Sequence, residues 1–214
     1  LFIHAVLPHI PLQYLPSGRR YQDDVELTTM TTKAGAGLTE TAWRNDELAV
    51  ARAHERYLLQ IGYVDPFIGR LEARLRQMGL YDDCLLIGAA DHGTSFRPKR
   101  LRREPHGDTV SELMSIPLFI KFPGQKTGKI SDRNVESIDV LPTLAQVLDL
   151  PLHVPAEGQS VLDESVPERP EKLMTHGASY IVPAAFPGKQ TAFEVMQRRF
   201  GSGNGWEGVY ALGL

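Results

Sequence analysis

Residues 84 to 93, "CLLIGAADHG", constrain the fold of this chain more than any other stretch. The apolar run lacks alternation and is too short for a helix, so it reads as a strand covered on both faces. Such a strand needs helices around it, and its neighbours in the chain meet that need. From Asp46 to Met78, Tyr57, Ile61, Val64, Ile68, Leu71, Leu75 and Met78 alternate steps of four and three. That spacing makes one apolar helical stripe, expected to pack into the core. Pro66 interrupts it and predicts a kink or two abutting helices, and Gly79 predicts the C-cap. Downstream, "IPLFIKF" reads as a second strand and "PGQKTGK" as a turn. "SIDVLPTLAQVLDL" reads as a helix, with an acid near its start and a proline in its first turn. Helices between apolar strands predict an α/β fold, a mainly parallel sheet with helices on both faces.

The rest of the chain is less decisive. Residues 1 to 7 form an apolar run stopped by Pro8 and Pro11, which predicts a short buried strand carrying His4 inward. Residues 12 to 45 are polar and rich in turn formers, with "TTKAGAGLTET" expected as a mobile segment. The last 50 residues, which contain "GSGNGWEG", are weakly patterned, and no internal repeat is visible. A length of 214 residues suffices for one large domain or two small ones. A net charge of −3 gives no global electrostatic case for nucleic acid or an acidic membrane surface. Cys84 is the single cysteine, so no internal disulfide forms, and its strand position predicts an inert thiol. No run approaches the roughly 18 apolar residues of a membrane span. The chain opens on Leu1 in what reads as a core strand, so we expect a piece of a longer protein, with targeting or anchoring segments outside it.

Ligands in open α/β sheets collect at the carboxyl ends of the strands. Three polar sets lie at such ends here: His9, the Asp91–His92 pair, and a long basic loop over residues 92 to 114. Asp91 offers a hard carboxylate oxygen and His92 a neutral imidazole nitrogen. Together they suit Mn²⁺ or Zn²⁺, while Ca²⁺ or Mg²⁺ would lean on the carboxylate. An Asp-His-Gly triplet also occurs as a plain turn, with Asp as a turn former and Gly at positive φ. Its place at the end of a buried strand favours the ligand reading.

"VDPFIGRLEARLRQMGLYDDCLLIGAADHG" resembles the signature stretch of the sulfatase branch of the alkaline phosphatase superfamily. "HAVLPHIP" resembles that family's His-x-Pro element. "SIPLFIKFPG" with "VESIDVLPTLAQVLDL" resembles its later strand and helix, and "EGQSVL" its short Gly-x-Ser stretch. The opening "LPHIPLQYLPSG" is most similar to membrane-tethered bacterial members related to lipoteichoic acid synthase. The resemblance implies that residues 1 to 165 are the C-terminal half of a catalytic domain, with 166 to 214 as an extension of it. It implies Asp91 and His92 as ligands of a divalent metal ion (Ca, Mn, Mg or Zn). It also implies His9 as a hydrogen-bond partner of the substrate's sulfate or phosphate oxygens. Lys99 or a neighbouring arginine would face the transferred anion, with Arg97, Arg100, Arg102 and Arg103 competing for that place. His106 is a further substrate-side candidate from the same loop. The family's nucleophile motif, Cys/Ser-x-Pro-x-Arg, is absent, so the nucleophile is expected outside this chain.

Two functional classes follow. One is a metal-dependent sulfuric ester hydrolase, or a phosphoglycerol- or phosphoethanolamine-type transferase or phosphodiesterase of the same superfamily. The other is a non-catalytic relative that binds an anionic glycan or head group. Expected partners are a sulfate- or phosphate-ester substrate and the missing N-terminal half of the domain, with no nucleic acid. Membrane contact would come only through segments outside this chain. The expected location is extracytoplasmic or membrane-anchored, with a cytoplasmic one as the alternative.

Overall fold

The computed structural model describes residues 1–21, 30–35, 38–106, 109–131, 133–176 and 178–183. They divide into two compact units, Leu1–Met78 with Thr94–Glu112, and Gly79–Gly93 with Leu113 onward.

The first unit is organised by one long helix, α1 (Glu47–Gln77). Asp46 caps it by accepting from the Ala49 N–H at 2.9 Å, and Glu47 in the first turn complements the helix dipole. At the other end Gly79 takes φ +70°, the left-handed conformation that glycine adopts without a Cβ penalty. The helix therefore starts and stops where the sequence predicts. It does not break at Pro66, which lies inside a single continuous helix. One missing backbone hydrogen bond is outweighed by the intact turns on either side.

The buried face of α1 is also shifted from the predicted stripe. Val50, Ala53 and Gln60 are buried, whereas Ile61 and Met78 are exposed and the other stripe residues are half-buried. Val50 and Ala53 join Leu12 and Trp43 in an apolar cluster, flanked by Ile10, Tyr57 and Phe96. Phe96 stacks on Trp43 with ring centroids 5.1 Å apart, and burial raises the pKa of the Tyr57 phenol above its ordinary value.

Trp43 ends the hairpin of β1 (Met30–Gly35) and β2 (Leu38–Trp43), which pair antiparallel from Met30↔Trp43 to Gly35↔Leu38. Of "TTKAGAGLTET", expected as a mobile segment, residues 31–35 and 38–41 form this hairpin, and 36–37 lie outside the described residues. Its threonines favour extended backbone, and the ladder gives their amides partners. Residues 1 to 7, by contrast, form no strand. Leu1, Phe2, Ile3 and Val6 are exposed, and so is His4. An apolar run becomes a strand only where another strand accepts its ladder bonds, and no described strand pairs with it.

The second unit contains β3 (Leu86–Ala89) and β4 (Leu118–Lys121). Both strands fall where the sequence places them, but they run antiparallel, pairing Leu86 with Lys121 and Ala89 with Leu118. A parallel pair needs a crossover, usually a long helix. Here the intervening helix α2 (Val110–Met114) has only 5 residues, and the chain before it belongs to the first unit. Nor is β3 covered along its length, since Gly88 and Ala89 are exposed. Cys84 sits in the turn before β3, half-buried, with its thiol 3.3 Å from the Tyr81 carbonyl.

Lys121 secures that turn. Its side chain is buried, and its ammonium donates to the carbonyls of Tyr81, Asp82 (2.7 Å) and Cys84 (3.0 Å) while lying 4.8 Å from the Tyr81 ring centroid.

Further along, a 3₁₀ turn (Ser137–Asp139) leads into α3 (Val140–Val147), matching the predicted helix. Buried Asp139 accepts from the backbone N–H groups of Glu136 and Gln159, both at 2.8 Å, and pairs with Arg169. Gly158 is required there, because a Cβ would stand 2.1 Å from the Ile138 carbonyl oxygen. The antiparallel pair β5 (Glu171–His176) and β6 (Ala178–Pro183) follows, and "GSGNGWEG" lies outside the described residues.

Replacing Lys121 with Met keeps the volume but orphans three carbonyls. Hydrogen bonds to charged groups are worth about 1.5–3 kcal/mol, so Lys121→Met is expected to destabilise the protein by at least that much. Urea titration followed by far-UV circular dichroism measures it, and a midpoint within error of wild type would contradict the cradle.

Candidate metal and anion site

In the second unit, β3 delivers Asp91 and His92 to a strand end fixed by the Gly93 N–H donating to Leu113 O at 2.8 Å. The His92 ring places Nδ1 2.7 Å from the Gly93 carbonyl. A carbonyl only accepts, so Nδ1 carries a proton. The ring's Nε2 lies 3.5 Å from Asp91 Oδ2. The Asp91 side chain is 85% exposed, and its other oxygen accepts from the His92 N–H at 3.0 Å.

This arrangement suits a metal ion. Ligating histidines commonly donate their second ring N–H to a backbone carbonyl, which fixes the tautomer. Imidazole nitrogen and carboxylate oxygen bind Zn²⁺ at about 2.0–2.2 Å, so two donors in a tetrahedral sphere stand about 3.3–3.6 Å apart. The 3.5 Å separation falls in that range. Among the described residues, however, no third His, Cys, Asp or Glu joins them in a cluster. The pair fits one edge of a coordination sphere.

In the first unit, His9 sits in the loop that leads to Leu12, with its N–H donating to Val6 O at 2.8 Å. Its Nδ1 lies 2.6 Å from Ile10 O, and Arg103 Nη2 lies 2.8 Å from its Nε2. A guanidinium only donates, so His9 is the neutral Nδ1–H tautomer and accepts at Nε2. The competing cations separate by position. Arg97 pairs with Glu112 at 2.7 Å, and Arg100 Nη1 stands 3.4 Å from His106 Nε2. Lys99 is exposed with a left-handed backbone, φ 64°, and its N–H donates to Trp43 O. Arg103 thus stands on His9, whereas Arg97, Lys99 and Arg100 have other partners.

The segment carrying His106 is held by a buried hydroxyl. Thr109 Oγ1 accepts from the His106 N–H at 2.9 Å and donates to Glu104 O at 3.0 Å. Glu104 Oε2 in turn lies 3.1 Å from His106 Nε2. His9, Lys99 and His106 thus belong to one unit, and Asp91 and His92 to the other.

Gln60 escaped the sequence reading. The signal was available, because a polar residue continues the Val50–Ala53–Tyr57 spacing at a position that should be apolar.

The model of the Sulfatase family matches residues 1–150. This chain belongs to the sulfatase family. An endo-4-O-sulfatase of Bacteroides thetaiotaomicron is 29% identical over 127 residues, 58% of this chain and 25% of that protein. The multifunctional alkaline phosphatase superfamily protein PehA of Trinickia caryophylli is 33% identical over 119 residues, 55% of this chain and 23% of that protein. Lipoteichoic acid synthase 1 of Bacillus subtilis is 29% identical over 96 residues, 42% of this chain and 15% of that protein. The chain spans about a quarter or less of the length of these curated relatives. Sulfatase-family membership implies an α/β alkaline phosphatase-like fold, of which the described strands form a part, and metal dependence is typical of the family.

Thr109→Val removes a fully buried hydroxyl and leaves the His106 N–H and the Glu104 carbonyl without it. The expected cost is about 1–3 kcal/mol, with faster amide hydrogen exchange at His106. Unchanged exchange at that amide would show that the hydroxyl does not hold the loop.

Proposed function

We propose that this sulfatase-family chain contributes two metal ligands and a substrate contact to a metal-dependent hydrolase of sulfate esters, whose nucleophile lies outside residues 1–214. The supporting observation is the local geometry of Asp91 and His92, a carboxylate oxygen and the imidazole Nε2 3.5 Å apart with Nδ1 turned to Gly93 O. Asp91 and His92 would hold the ion, which supplies positive charge to the oxygens of the transferred group. His9 and Arg103 would bind that group's oxygens, with Arg103 taking the place sought among Lys99 and the loop arginines. His106 would lie on the substrate side through the same loop. The remaining metal ligands and the nucleophile would come from the rest of the enzyme.

Phosphate-ester transfer is the second reading, favoured by the similarity to lipoteichoic acid synthase 1. On this reading the domain would lie outside the cytoplasm or be membrane-anchored, with a cytoplasmic location as the alternative. No helix among the described residues is long and apolar enough to cross a membrane, so an anchor would lie elsewhere.

Substitutions in the full-length protein separate the two roles. Asp91→Asn and His92→Ala should each lower metal affinity by more than tenfold, since even indirect partners of metal ligands cost about 10–100-fold. Elemental analysis after dialysis reads this directly, and wild-type metal content in both would reduce the pair to a turn. His9→Ala should instead retain the metal while turnover of aryl sulfate falls by about 10²–10³-fold, the usual loss of a hydrogen bond to a developing anion. Loss of the metal would make His9 a ligand, and an unchanged rate would make it a loop residue.

A further inference from the structure

Gln60 is fully buried, yet its carboxamide has no unmet hydrogen-bonding capacity. Its Oε1 accepts from the backbone N–H groups of Gln13 (2.9 Å) and Tyr14 (3.1 Å). Its Nε2 donates to the carbonyls of Pro8 (3.0 Å) and His9 (2.9 Å). A carboxamide offers two donors and two acceptor lone pairs, and all four are used. Glutamate lacks the donors, leucine and methionine lack an amide, and asparagine is one methylene too short. The position is therefore specific to glutamine.

The four partners flank one side chain. Pro8 and His9 lie at the start of the loop, and Gln13 and Tyr14 at its end. With the His9 carbonyl pinned by Gln60, the ring reaches Ile10 O through Nδ1 and presents Nε2 to Arg103. We infer that Gln60 is a positioning residue, which holds the loop of residues 8–14 so that His9 offers its Nε2 lone pair to Arg103. A core glutamine serving stability alone would need no particular partners, whereas this one bonds to His9 itself. The inference rests on the reading of His9 as a substrate contact, and it adds the residue that sets the tautomer and direction of that contact.

Three measurements test it. In the wild-type chain, nitrogen-15 NMR of the His9 ring should show the Nδ1–H tautomer, with the Gln13 and Tyr14 amides protected from exchange. An Nε2–H ring would overturn the inference at once. In Gln60→Asn, which keeps the amide but retracts it, the His9 ring should shift towards mixed tautomers. In the full-length protein its kcat/KM for aryl sulfate should fall at least tenfold, with metal content unchanged. Combined with His9→Ala, Gln60→Asn should cost nothing further, because residues acting through one group are non-additive. Independent, additive losses would overturn the inference, as would a wild-type ring signature and rate in Gln60→Asn. If His9→Ala leaves turnover intact, the substrate reading of His9 fails, while the ring tautomer in Gln60→Asn still decides whether Gln60 positions it. Gln60→Met removes all four bonds at similar volume. Should it fail to fold, Gln60→Asn and the wild-type ring measurement carry the decision.

Discussion

The carboxamide of Gln60 is the contact on which the first unit depends. It joins the middle of α1 to both ends of the loop that bears His9, across more than 45 residues of sequence. A buried amide with every hydrogen-bonding site used is worth more than its modest net energy suggests, because losing its partners would strand four polar groups. Leu12, Trp43, Val50 and Ala53 supply the apolar contact around it. The indole of Trp43 donates to Ser95 O, and its backbone bonds Arg100 O and the Lys99 N–H. The helix, the hairpin, the His9 loop and the basic loop are thereby joined within one small core.

The second unit is held by the same kind of bond, with charge added. Lys121 gathers the turn before β3, and Asp139 with Arg169 gathers the segments around α3. Lys121 is buried against carbonyl oxygens and Asp139 in an ion pair with Arg169, and such partners let a charge be kept out of water. Thr143 extends the second network, donating to Asp139 O and accepting from the Val161 N–H. Polar contacts of this sort specify geometry more sharply than apolar packing does. They lie here at the turn that opens β3 and around the 3₁₀ turn that opens α3. Exposed apolar residues such as Phe2, Leu141 and Leu150 stand in contrast.

Much of the fold was legible in the sequence, and the legible part was local. Asp46 and Gly79 bracket α1 as predicted, because a helix cap is decided by residues three or four positions away. The apolar runs around residues 86 and 118 are strands, and Asp-His-Gly follows the first of them. The motifs also sufficed for the family, since they keep their order along the chain. What only the tertiary structure decided depends on residues far apart. Strand direction is one case, because an apolar run reads alike in a parallel or an antiparallel pair. The buried phase of α1 is another, set by which turns meet Leu12 and Trp43. The choice of Arg103 over Lys99 beside His9 is a third, made by a contact spanning 94 residues. Periodicity reports what each segment can bury, whereas a long side chain finds its partner only when distant segments have closed around it.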